Sequence, residues 1–167
     1  MIDLKEKCEN IIFAVQGCFG ALNGLPNEVR KDDKERTGIQ VLIREPGTRN
    51  LLFFPVAFPS QAAMFFAAEK AVRSYLLKDP CSQNSADPEK MEFAGSVMIT
   101  VDGVSIQVSV SGMKAEEDVA IAVMTLAHIF NVNPKKICLQ ITMAGGRLPD
   151  CFYMSGHYLR RFLGLED

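Results

Sequence analysis

His128 and His157 are the whole imidazole complement of this sequence, so a multi-histidine metal site cannot be built within one chain. Met124 stands four residues before His128 in a helical run, a spacing that places a thioether one turn from an imidazole and would suit the axial side of a haem. Packing at a helix rim explains the same two residues. His157, with Tyr153 and Tyr158 beside it, reads either as a site or as the aromatic side of a docking helix. Ser111-Gly112 precedes another helical run, where free backbone amides could hold an anion. Glu116, Glu117 and Asp118 already place negative charge at that end, which complements the helix dipole and repels phosphate, so capping is the simpler role. Ala144-Gly145-Gly146-Arg147 puts two glycines beside a cation, an anion nest or a plain turn. Glu69-Lys70 and the three acids at 116–118 read as solvated helix charges. Neither a dinucleotide fingerprint nor a phosphate-loop pattern occurs, and no Ser, His and Asp arrangement is supported. No catalytic residue and no metal ligand are assigned.

The elements that must position these groups are legible from periodicity. Asp3 with Glu6 opens a helix whose Leu4, Cys8, Ile11, Ile12, Val15, Phe19 and Leu22 recur at helical spacing up to Asn23-Gly24-Leu25-Pro26. A charged connector covers 28–36. Ile39, Val41 and Ile43 alternate with Gln40, Leu42 and Arg44, and a second apolar run over 51–58 makes a hairpin whose Pro55 belongs on an edge strand. Ser60 caps a helix to about Lys78, with Met64, Phe65, Ala68, Val72, Tyr75 and Leu76 expected in the core. The composition of 79–89 suggests a mobile connector. Asp102-Gly103 between alternating runs is a type I′ hairpin signal over 96–110. A helix over 116–130, a strand over 136–143 and a short helix over 153–163 complete the chain.

Val97, Ile99 and Val101, then Val104, Ile106, Val108 and Val110, then Ile137, Leu139, Ile141 and Met143 define one apolar sheet face. Ser105, Gln107, Ser109, Lys136, Gln140 and Thr142 lie opposite, reading as a solvated face, a ligand groove or a pairing surface.

At 167 residues, 48% apolar and 23% charged, the chain suits one domain over 1–167 with its own core. A net charge of −2 supplies no field for a phosphate backbone, so no nucleic-acid partner is expected. No basic start with an uninterrupted apolar core marks a signal peptide, and no run approaches the roughly 18 apolar residues of a membrane span. Five cysteines without CxxC spacing argue against a disulfide framework and a zinc knuckle, and point to a cytoplasmic protein.

Val101-Asp102-Gly103 and its alternating strand, then Val110-Ser111-Gly112, and Glu116-Glu117-Asp118 leading into Ala120 and Ala122, resemble the signature of the GlcG/HbpS-like family, also called DUF336. The hairpin over 39–58 and the helix with Ala68-Glu69-Lys70-Ala71 sit where that family has its first hairpin and its Lys-Ala helix; the resemblance spans roughly 3–130. Family glycines in the strand after Gly103 are Gln107 and Ser109 here, and 131–167 lie outside the pattern, as a strand-helix extension. The resemblance implies an α+β, profilin-like sandwich with a central antiparallel sheet of about five strands, in the order α-β-β-α-β-β-α-β-α, usually in oligomers. Its members are similar to haem-binding regulatory proteins, to products of genes near glycolate use and to a domain attached to corrinoid adenosyltransferases.

The preferred functional reading is a non-enzymatic small-molecule-binding or sensory module. One alternative is an enzyme or accessory acting on a small organic acid, corrinoid or tetrapyrrole; the other is a scaffold resembling roadblock proteins, which pair through a sheet edge. The ligand and cofactor are not identified, and haem is expected to bind weakly if at all. A specific site is expected around Phe58, Ser60, Gln61 and Met64, with Ser111 and Gly112 opposite, since an aromatic beside polar caps suits a small, partly apolar molecule. Ile121, Met124 and Ile129, outside the main stripe of their helix, and Phe53, Phe54 and Phe58 near an edge strand imply a homo-oligomer, most simply a dimer.

Overall fold

The computed structural model describes residues 3–32, 34 and 36–166. Among these residues six helices, α1 (Cys8–Asn23), α2 (Asn27–Arg30), α3 (Gln61–Leu76), α4 (Ala115–Phe130), α5 (Pro134–Met143) and α6 (Tyr158–Phe162), surround four strands, β1 (Gly38–Arg44), β2 (Leu51–Ala57), β3 (Ser96–Val101) and β4 (Val104–Ser111). The fold is α+β, with one antiparallel sheet in the order β2-β1-β4-β3. Pro55 lies on the edge strand β2, opposite Gln40, where its missing N–H costs no ladder bond. Asp102 and Gly103 both take positive φ, 50° and 77°, in the tight turn between β3 and β4.

The apolar sheet face carries the core. Ile39, Val41, Ile43, Val97, Ile106, Val108 and Val110 are buried against α1 and α4, and the same cluster takes in Ile137, Ile141, Phe152 and Leu159 from the C-terminal segment. Helix α4 is enclosed by β3, β4, α1 and α5, so Ile121 and Ile129 are core residues and leave the list of interface candidates.

Among the described residues a fifth strand does not form. Residues 136–143 are helical because Asn133 caps Lys135 N–H and Pro134 occupies the first turn, where its missing donor is no loss. Residues at i and i+4 share both a strand face and a helix face, so Ile137 and Ile141 fit either pattern; Leu139 and Met143 break the tie by facing water. Lys136, Gln140 and Thr142 therefore belong to a helix rather than a sheet face. The stretch 79–89 is pinned rather than slack. Cys81 bridges Val97, the Ser82 hydroxyl accepts from Ser96 N–H, and Arg73 donates to Ser85 O and Oγ. At the far end, 153–163 shortens to α6, preceded by a single-turn helix at Asp150–Phe152.

The second sheet face is neither solvated nor open, since α3 covers it. Gln107, Ser109, Ser96 and Gln40 are buried, and the helix that meets them presents Ala63, Ala67, Lys70, Ala71 and Ser74. Small residues every fourth position let the helix approach closely enough for sheet side chains to reach its backbone. Gln107 Nε2 donates to Ala71 O and to the Ser74 and Ser96 hydroxyls, while Ser109 Oγ donates to Ala67 O. Met64, Phe65, Val72, Tyr75 and Leu76, expected in the core, consequently point outward.

Candidate functional site

The turn from β4 into α4 brings the site together. Gly112 there has φ +136°, and a Cβ at this position would run into Gly38 O, so only glycine lets β4 leave the sheet alongside β1. The helix that follows is capped by its own acids: Glu117 Oε2 accepts from Lys114 N–H at 3.2 Å, and Asp118 Oδ1 accepts from Met113 N–H at 3.0 Å. Those amides are therefore spent on protein carboxylates, which agrees with the capping role read from the sequence.

Lys70, Glu117 and Asp118 are not solvated charges. Lys70 and Asp118 are 1% and 2% exposed and meet through Nζ and Oδ2 at 2.9 Å; a second Nζ donor reaches Val110 O at 2.9 Å. Burial raises the Asp118 carboxyl, and Lys70, the amide of Met113 and the geometry of the pair oppose that rise. Glu117 accepts a bidentate pair from Arg30 at 2.8 and 2.7 Å and a further hydrogen bond from Tyr158 Oη at 2.9 Å. Burial, then the Glu117 charge, push the Tyr158 phenol well above its ordinary value. Arg30 also contacts Asp32, which pairs with Arg36. This network ties α2 and α6 to the start of α4, and it lies beside a cavity.

The cavity, about 510 Å³, opens between the starts of α3 and α4. Phe66, Phe93 and Met113 give it apolar walls, Lys70 and Asp118 its floor, and Lys34, Arg36 and Lys114 cations at its mouth. Glu116, also lining it, is paired with Lys114 at 3.0 Å. Ser111 is 5% exposed, lines the cavity, and its hydroxyl has no hydrogen-bond partner among the described residues. The Ser111 hydroxyl therefore stays open to the cavity, whereas the buried side-chain oxygens without a partner, among the described residues, are Gln40 Oε1 and Gln140 Oε1.

Of the site residues expected from sequence, Ser60, Ser111 and Gly112 line this cavity together. Ser60 also caps α3, its hydroxyl accepting from Ala63 N–H at 3.1 Å. Gln61 lines a neighbouring hollow instead, and Phe58 and Met64 stand on the outer surface. Sequence reasoning missed Lys70, Asp118, Phe66 and Phe93. A lysine amid alanines at four-residue spacing was the available signal for Lys70; nothing local marks Phe93.

The other groups with chemical potential go to structural uses. His128 is exposed on α4, and His157 caps α6, its Nδ1 accepting from Leu159 N–H at 3.2 Å. Gly146 N–H returns to Ile141 O at the end of α5, and Arg147 pairs with Asp150, so 144–147 is a helix-terminating turn. Among the described residues, no three His, Cys, Asp or Glu side chains are grouped to hold a metal ion. No described helix is long and apolar enough to cross a membrane.

No protein-family model matches the chain, and no curated protein matches it. Solved structures do. One is PduOC in complex with haem, with a TM-score of 0.54 and 15% identity over 74% of this chain and 91% of that one. Another is the Klebsiella pneumoniae protein ORFY, assigned to family-model DUF336, with a TM-score of 0.53 and 15% identity over 76% of this chain and 90% of that one. The chain has the fold of the GlcG/HbpS-like, DUF336 proteins, with four strands in its sheet.

Proposed function

We propose that this protein is a non-enzymatic small-molecule-binding module, and that its ligand occupies the cavity between the starts of α3 and α4. The observation that carries this reading is an apolar-walled hollow of about 510 Å³ lined by both Lys70 and Ser111, whose hydroxyl makes no hydrogen bond among the described residues. Pockets of that kind, mostly apolar with a few convergent polar groups, suit small ligands. The chemistry favoured is a compact, flat apolar body whose hydrogen-bond-accepting or anionic end meets Ser111 and Lys70, with Phe66 and Phe93 against its faces. Ser60 and Gly112 form part of the same wall; Phe58, Gln61 and Met64 are outside it.

Haem, present in one structural neighbour, does not match the residues here. The cavity lining holds no histidine or cysteine, Met113 supplies its one sulfur, His128 faces water elsewhere on α4, and the His157 Nδ1 lone pair is engaged in its cap.

In the same reading the chain acts as one domain over 1–167, since its C-terminal helices share the core of the sheet, and it works as a homo-oligomer. Five free cysteines, four of them with thiols that burial pushes up to about 11 or 12, favour a reducing, cytoplasmic setting.

Native mass spectrometry of gently purified protein tests the site. The expected result is a retained small molecule whose occupancy falls at least tenfold in Ser111→Ala and Phe66→Ala. Retention unchanged in both variants, each folded, would place the site elsewhere.

A further inference from the structure

Side chains of β4 bond the backbone of α3 in step. Gln107 Nε2 donates to Ala71 O at 2.9 Å, and Ser109 Oγ donates to Ala67 O at 2.7 Å. Two strand residues advance about 6.7 Å and four helix residues about 6 Å, so the two elements keep register and the next rung falls between Ser111 and Ala63. That rung is missing. Ser111 and Ala63 both line the cavity instead, and the Ser111 hydroxyl makes no hydrogen bond among the described residues.

A second group at the same level lacks a partner. Gln40 is paired with Ser111 across β1 and β4, and the two-residue period puts both side chains on the face that α3 covers. Gln40 is 1% exposed, its Oε1 is buried without a hydrogen-bond partner, and its Nε2 makes only a 3.4 Å contact with Val41 O. Lys70 supplies a third group, because its ammonium has three donors and spends two, on Val110 O and Asp118 Oδ2. The missing rung therefore gathers one acceptor at Gln40, one hydroxyl that can donate or accept, and one remaining ammonium donor.

Charge decides what can fill it. Lys70 is matched by Asp118 at 2.9 Å, Arg36 by Asp32 at 2.8 Å and Lys114 by Glu116 at 3.0 Å, so the floor holds no unmatched cation. An anion carried down to the floor would be a buried charge without a counter-ion of its own, beside the Asp118 carboxylate. A neutral hydrogen-bonding group meets no such cost. We infer that the inner end of the ligand is a neutral cis-amide edge, a ring carbonyl beside a ring N–H as in a lactam or cyclic imide. The carbonyl accepts from Lys70 and Ser111, the N–H donates to Gln40 Oε1, and the flat body lies toward Phe66 and Phe93. The inference rests on the cavity reading above and deepens it, choosing a neutral end over an anionic one and adding Gln40 as a specificity residue.

An amide NMR titration of the full chain with three probes of similar outline tests this: carbostyril, which carries the cis-amide edge; N-methylcarbostyril, which lacks its N–H; and naphthoate, an anion. The expected result is saturable carbostyril binding that shifts the Gln40 side-chain amide, with the other two probes at least tenfold weaker. Gln40→Met should remove the preference of carbostyril over its N-methyl form without lowering Tm, since the Gln40 oxygen has no partner to lose. Naphthoate binding as tightly as carbostyril, or a preference that survives in Gln40→Met, overturns the neutral edge and leaves the cavity reading standing. Failure of all three probes also overturns it; the cavity reading then stands if a molecule retained through purification is lost in Ser111→Ala, and falls with it if retention is unchanged.

Discussion

Lys70 Nζ lies 2.9 Å from Asp118 Oδ2, joining the helix on one face of the sheet to the helix on the other around the end of β4. The third member of the contact is backbone, since Nζ also donates to Val110 O, so the pair fixes where β4 stops and the cavity begins. An ion pair this deep recovers its desolvation cost only while both partners are present.

Lys70→Met should therefore destabilise the fold by about 3–5 kcal/mol, because it leaves the Asp118 carboxylate buried without a counter-charge. Lys70→Met with Asp118→Leu should cost less than the sum of the single changes. Urea titrations of the three variants would measure this, and a strictly additive double variant would show that the charges do not depend on each other.

Gly95 tests the same junction sterically. Its φ is +135°, and a Cβ would lie 2.5 Å from Val110 O, 2.7 Å from Lys70 Nζ and 2.8 Å from Asp118 Cβ. Gly95→Ala should cost about 3 kcal/mol or more, combining backbone strain with displacement of the ion pair. Gly47 has φ +83° and open space around it, so Gly47→Ala should cost only the conformational share, about 1–2 kcal/mol. Equal Tm losses in the two variants would contradict the steric account.

The hairpins, the Asp102-Gly103 turn, the edge position of Pro55 and the extent of α3 were all legible in the sequence, because each rests on local rules. What misled was the assumption that an apolar stripe faces inward. On α3 the inward face is chosen by its partner, a sheet face of Ser96, Gln107 and Ser109, and only Ala63, Ala67, Ala71 and Ser74 are small enough to let those side chains bond the helix backbone. Charge misled for the same reason: Lys70, Glu117 and Asp118 look solvated one residue at a time and become buried only when their partners, 40 or more residues away, are known. Half of the expected site residues line the cavity because caps and glycine turns are local features. Its aromatic walls come from segments whose juxtaposition is tertiary.

Gln107 holds that polar interface together, with Nε2 donating to Ala71 O at 2.9 Å and Oε1 accepting from Arg44 Nε at 2.6 Å. Gln107→Ala should lower stability by about 2–4 kcal/mol, since it opens a cavity and strands several buried partners. Hydrogen exchange should show α3 losing protection before α4, which packs on the other face. Uniform loss across both helices would mean that α3 has no separate dependence on this side chain.

Haem should associate weakly. The expected observation is no stoichiometric Soret band at micromolar protein. A tight complex abolished by His128→Ala or His157→Ala would make that histidine an axial ligand and displace the cavity as the principal site.

The C-terminal helix carries a pH dependence that can be assigned to one group. His157 Nδ1 accepts from Leu159 N–H, a role open only to the neutral ring, and burial, with Lys114 and Lys31 adding to it and Glu116 opposing, holds the imidazole below its ordinary value. A base with a lowered folded pKa binds fewer protons folded than unfolded. Its contribution is thus full above the unfolded value of about 6.5 and is lost as pH falls through the folded value. Amide exchange across α6 should accelerate between pH 7.5 and 5.5 beyond the intrinsic trend, while α4 stays protected. His157→Asn keeps a capping acceptor that does not titrate, and should abolish the extra acceleration; His157→Ala should weaken the segment at both pH values by about 1 kcal/mol. An Asn variant as pH-sensitive as wild type would show that His157 is not the source of the effect.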